Sequence, residues 1–357
     1  MKKNRQYGLD ILRVMAMLLI TAIHYIAYSG IVDVSELTGY NRIFLSCVSA
    51  LFVAAVNLFI LITGYFSCEK KINVKRLFTL WISTVLAGII LLAVGVLILK
   101  QPFGMVTLIK TILPFSTMHY WFFTMYVLLM IASPLLNILI DHLTQHQHKV
   151  VCVIGFFLIS VFLVSNPFIN AQYYIADARG IVWLSYLYII GAGFKKYSWS
   201  LTRWKNILGI CMVYVLLVIL QLFQVSHIGN CQLLDSNSVL PFLLSLLLFS
   251  LFKSIDIKCS VSQKVVSSLS SCSFLVYILQ EHDIIRFWYW DFFKIPSYAA
   301  SPLLFVNFLI SLLALWPIAL LLQCLFNVIT PGITFIYTRV DSLMQKLFKI
   351  PQRRKNP

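Results

Sequence analysis

The sequence predicts an all-α, polytopic membrane bundle of about ten transmembrane helices with both termini in the cytoplasm. Three observations predict it. Hydrophobic residues make up 60% of the chain and charged ones only 11%, and the mean hydropathy is +0.89. Apolar stretches of about 17 to 25 residues recur from end to end, the length an α-helix needs to cross a bilayer. With ten spans, twenty-one lysines and arginines fall in the tails and loops of one side and six on the other. Cytoplasmic loops carry that excess, so the richer side faces inward.

The spans are expected near 8–28, 44–66, 77–99, 120–140, 149–166, 181–195, 206–226, 238–252, 267–284 and 302–328. The first carries Asp10, Arg13 and His24, and no small-residue cleavage site follows it. It reads as a retained anchor rather than a signal peptide. Arg13 and His24 are eleven residues apart, hence roughly 16 Å apart along the axis and about 20° around it. A guanidinium and an imidazole on one face of a spanning helix call for a polar path or a reaction site. The second span ends with Asn57, Thr63 and Gly64. Gly64 there serves close helix packing or lets a ligand approach the backbone, just before the basic group Lys70, Lys71, Lys75 and Arg76.

The fourth span opens with His119, Tyr120 and Trp121, aromatics that suit an interfacial belt, although a histidine suits it less. Asp141, His142 and His146 fall at helical spacings, but with His148 they read as a wet connection before the fifth span, because no acidic or cysteine ligand elsewhere completes a metal set. The ninth span ends with Tyr277, Gln280, Glu281, His282, Asp283 and Arg286. Ser273, Tyr277 and Glu281 recur every four residues, so a polar stripe runs into the bundle. Near the external mouths, Tyr173, Tyr174, Asp177, Arg179, Trp288, Tyr289, Trp290 and Asp291 suit either sugar stacking or an aromatic belt. Residues 1–345 read as one transmembrane domain and 346–357 as a basic tail at the membrane surface.

The formal charge of +16 does not imply nucleic acid, because the basic residues are spread over short loops facing anionic headgroups. The eight cysteines include no C-x-x-C pair, and no disulfide framework or metal site is expected.

Gly8–Arg13 with His24, the Asn57–Phe66 segment, Tyr120–Phe123 and Ser273–His282 together resemble the integral-membrane acyltransferase-3 family, whose members include O-acetyltransferases of cell-surface polysaccharides. The resemblance covers nearly the whole chain. It implies transfer of acetyl from cytoplasmic acetyl-CoA to a hydroxyl of a glycan or lipid-linked sugar, in the plasma membrane of a bacterium. His24 then matches the essential histidine, with Glu281 and His282 as further catalytic candidates. Arg13, Asp10, Lys70, Lys71, Lys75 and Arg76 are the candidates for holding acetyl-CoA; His119, Trp121, Tyr277, Gln280 and Arg286 are those for the acceptor. One departure is visible: where the family pattern places histidine three residues after the tyrosine, this chain has Gln280, and His282 comes two residues later. A transporter or flippase for a glycan intermediate or small solute is the competing reading. No pair of similar halves supports it.

Overall fold

The computed structural model describes residues 5–70, 73–166, 168, 177–228 and 231–347, and it is an all-α bundle. Helix α1 (Tyr7–Ser29) is unbroken and stops at Gly30, whose φ of 69° ends it in the left-handed region. Helices α2 (Gly39–Phe52) and α3 (Ala55–Ser67) make one span with a break at Val53 and Ala54, and α4 (Val74–Ala93) runs on through a π-helical turn, Val94–Ile98. After the short α5 (Met105–Ile112) come α6 (Trp121–His142), with Pro134 inside it, and α7 (Gln145–Gly155), continued in π-helical form to Val164. Next are α8 (Ile181–Lys196) and α9 (Arg203–Leu222), then a two-residue antiparallel ladder of β1 (His227–Ile228) and β2 (Cys231–Gln232). The chain finishes with α10 (Val239–Lys253), α11 (Ser260–Glu281), α12 (Asp283–Phe292), α13 (Leu304–Leu313) and α14 (Leu315–Leu347).

Among the described residues, seven segments are long and apolar enough to cross a membrane: Tyr7–Ser29, Gly39–Ser67, Val74–Ile98, Trp121–His142, Gln145–Val164, Arg203–Leu222 and Leu304–Gly332. The other three expected spans fall on α8, α10 and α11, of which the first two are short and the third begins with a serine-rich polar half. Large apolar side chains such as Leu97, Leu135, Leu321 and Val328 stand exposed. In water such surface would be costly, whereas hydrocarbon is its natural solvent.

Helix α1 is the axis of the bundle, packed against α2, α3, α10, α11, α12 and α13. The most extensive helix pairing is α3 with α8, and two glycines explain it. A β-carbon at Gly64 would run into the backbone of Tyr188, and one at Gly191 into the carbonyl of Leu61. Small residues let two backbones meet where lipid supplies no hydrophobic push. Gly64 is therefore a packing residue and not a ligand approach. Asn57, fully buried, donates to the Ser236 carbonyl at 2.6 Å and to Ser245 Oγ at 3.1 Å, and accepts from Trp183 Nε1 at 3.0 Å. It ties α3 to α8 and α10 as a structural brace.

Three expectations about connections need correction. The link around residue 148 is not simply wet: α7 starts at Gln145 under a Thr144–Gln147 capping box, and His148 is buried with Nε2 2.9 Å from the Ile189 carbonyl. Residues 285–301 are not an open loop, because α12 and a 3₁₀ turn at Ile295–Tyr298 occupy most of them. The last helix does not stop at 328. It continues through Pro331 to Leu347. Lys71, Tyr173, Tyr174 and residues 348–357 of the tail lie outside the described residues.

Candidate functional site

His24 is held where α1 meets the end of α11. Its Nε2 lies 3.0 Å from Glu281 Oε1, and Tyr28 donates from its hydroxyl to that same oxygen at 2.9 Å. Tyr28 is one helical turn beyond His24 and its ring stacks on the imidazole at 5.0 Å. Arg286 Nη1 stands 3.8 Å from the other carboxylate oxygen. A carboxylate so close to Nε2 keeps a proton there, which leaves Nδ1 as the basic nitrogen. Gln280 lies alongside the imidazole, but no well-directed hydrogen bond joins them. His24 Nδ1 and Gln280 Oε1 are both buried and without a hydrogen-bond partner. A buried imidazole with one nitrogen fixed and the other open is arranged to take a proton from, or bond to, something that enters beside it.

A second cluster adjoins the first through Arg286, whose Nη2 is 3.7 Å from Asp283 Oδ1. Lys110 donates to Asp283 Oδ2 at 3.1 Å, and His119 Nδ1 approaches that oxygen at 3.6 Å. The His119 side chain is almost wholly buried, and burial holds its imidazole below the ordinary histidine range against the opposing pull of Asp283. An alternation of signs runs from Lys110 through Asp283 and Arg286 to Glu281, whose carboxylate meets His24. Helix α11 makes this possible by ending at Glu281: His282 turns to extended backbone, with φ −65° and ψ 124°, and α12 sets off with Asp283 in its first turn.

Arg13 lies toward the opposite end of α1. Its Nη1 donates to Asp10 Oδ1 at 3.2 Å and to Ser270 Oγ at 2.8 Å, while Ser270 donates to the same Asp10 oxygen at 2.8 Å. Arg5 Nε takes the other Asp10 oxygen at 2.6 Å. Asp10 thus fixes two guanidinium groups instead of facing a ligand. Arg13 also lines a cavity of about 910 Å³, whose walls include Lys70, Lys75 and Arg76 at one end and Met17, Phe122 and Tyr277 at the other. The cavity's far wall is one contact from His24, since Gln280 Nε2 is 3.5 Å from Met17 Sδ. Tyr277 is positioned by accepting from the Phe122 backbone N–H at 3.1 Å.

The sequence-derived candidates thus separate into groups. His24, Glu281, Gln280 and Arg286 come together at one centre; Arg13, Lys70, Lys75, Arg76 and Tyr277 line the cavity. His119 reaches His24 only through Asp283, Arg286 and Glu281, and His282 packs edge-on against His119 at 5.6 Å. Trp121 stands apart, with the Arg179 guanidinium 5.8 Å over its ring. Sequence reasoning gave no role to Tyr28, whose spacing of four from His24 was a usable signal, or to Lys110, which only the fold brings to Asp283. Ser270 continues the Ser273–Tyr277 stripe toward Arg13 and was also overlooked. Among the described residues no cluster of three or more metal-ligating side chains occurs.

Residues 6–322 match the family model described as an acyltransferase domain, that of acyltransferase 3. No curated protein and no solved structure matches the chain.

Proposed function

The chain belongs to the acyltransferase-3 family and is a multi-pass membrane acyltransferase, and from that premise we propose that it moves acetyl from cytoplasmic acetyl-CoA to a hydroxyl of a cell-surface glycan. The observation that carries this reading is the cavity that starts among Lys70, Lys75, Arg76 and Arg13 and ends at Met17 and Tyr277, one side-chain contact from the His24–Glu281 pair. A phosphate-bearing donor with a long arm suits such a cavity: charge at one end, an aromatic and apolar wall at the other, and a base beyond it. The distribution of basic residues supports ten spans with the Arg13 end and both termini inside and His24 toward the outer face, and the family resemblance suggests the plasma membrane of a bacterium.

In this reading Lys70, Lys75, Arg76 and Arg13 hold the donor's phosphates, and Asp10 and Ser270 keep Arg13 aimed into the cavity. Acetyl-CoA supplies a thioester carbonyl. Glu281 keeps the Nε2 proton in place, and His24 Nδ1 removes the proton of the acceptor hydroxyl as its oxygen attacks the carbonyl carbon. The carbon–sulfur bond breaks, and the departing thiolate receives the proton that Nδ1 took. Arg286, whose Nε is buried without a partner, and the Gln280 amide are the donors nearby for the negative charge that develops on the carbonyl oxygen.

Membranes containing the protein, given acetyl-labelled acetyl-CoA and a glycan fraction, test the reading. Label should appear on glycan as ester and depend on His24. Movement of a solute with no thioester cleavage would overturn it in favour of transport.

A further inference from the structure

Beside Asp283 the surface folds into a cleft of about 480 Å³, walled by α12 and by the segment around Gln101, within the usual range of small-molecule sites. Its composition is unusual for a membrane-facing groove. Along α12, Asp283, Phe287 and Asp291 recur every fourth residue, with Trp288 and Phe292 one position on. The Trp288 and Phe292 rings stack at 5.5 Å and 26°, forming one broad aromatic step. Phe292 and Asp291 are exposed, and Asp291 has no side-chain partner among the described residues. Two carboxylates exclude hydrocarbon contact, so the aromatic step faces water. Aromatic faces standing in water beside an unpaired carboxylate are the complement of a pyranose, which has one apolar C–H face and a rim of hydroxyl donors. No lysine or arginine lines this cleft, and Lys110 and Arg286 behind it are both engaged by Asp283.

Side-chain contacts also link the cleft to the centre. Asp283 joins it to Arg286 and so to Glu281, and Phe287 packs edge-on to Tyr28 at 5.8 Å, whose ring covers His24.

We propose that the Trp288–Asp291 cleft is a binding subsite for uncharged sugar rings of the acceptor. The claim rests on the glycan-acyltransferase reading, but is tested separately from it. The full-length protein in nanodiscs is titrated with neutral trisaccharides (maltotriose, cellotriose and the β-1,4-linked trimer of N-acetylglucosamine) and with poly(glycerol phosphate). Saturable binding of at least one neutral trisaccharide is expected, weakened about tenfold or more by Trp288→Ala and by Asp291→Asn. Trp288→Phe, which keeps a ring and guards against a folding defect, should retain part of it. In transfer assays the same changes should raise the acceptor KM while leaving donor affinity alone. Binding without any acetyl transfer by the wild type would keep the subsite and remove the transferase reading. Transfer with unchanged acceptor KM in both variants would do the reverse. No binding of any neutral trisaccharide, or tighter binding of the polyphosphate, would overturn the subsite.

Discussion

His24 and Arg13 share one helix but have different partners, so their replacement should have separable effects. His24→Ala removes an imidazole whose Nε2 is held by Glu281 and whose Nδ1 is buried without a hydrogen-bond partner. Turnover should fall by about 10²-fold to 10⁴-fold, with donor affinity largely kept, as read by binding of a non-transferable acetyl-CoA analogue. Near-normal acetylation per inserted molecule would eliminate His24 as base, and a labelled adduct on it with donor alone would favour acyl transfer through the imidazole. Arg13→Ala should instead weaken donor binding by roughly 30-fold to 1000-fold, about 2 to 4 kcal/mol. Unchanged affinity would reduce Arg13 to a partner of Asp10 and Ser270 and move the phosphate site to Lys70, Lys75 and Arg76. These residues were legible in the sequence because charge inside an apolar run stands out. Lys110 was not, for nothing local ties a loop lysine to an aspartate 173 positions later. Nor did the local pattern foretell that α11 would end between Glu281 and His282, sending two adjacent acid–base residues in different directions.

At the level of elements, the apolar runs located the helices but not their irregularities. Hydropathy averages over a span and is blind to the break at Val53 and Ala54, to the π-helical turns in the fourth and seventh helices, and to α12 lying in what the pattern shows as a connection. Packing was half legible: Gly64 was noticed, but its partner face is made by Gly191, which only the tertiary arrangement pairs with it. Gly64→Leu or Gly191→Leu should push α3 from α8 and cost about 1 to 3 kcal/mol or more. In detergent this would appear as a lowered thermal midpoint and as loss of the Asn57 brace. A variant that melts with the wild type would mean the two helices part without consequence.

For the whole molecule, the charge asymmetry makes a direct prediction. In a cysteine-free background on sealed cells, single cysteines at positions 70 and 196 should be protected from an impermeant maleimide, and those at 110 and 291 should react. Labelling of 110 and 196 from the same side would end the ten-span arrangement. The class of molecule was legible because composition alone excludes a soluble fold, whereas the cavity was not, since its walls come from six helices scattered along the chain. The wall formed by Met17, Phe122 and Tyr277 has one further consequence. A water-filled passage open to His24 from both faces would conduct protons and drain the electrochemical gradient on which the cell runs. On the proposed reading, keeping that partition closed would make the protein an airlock: an acyl group would change compartments while the membrane kept its voltage.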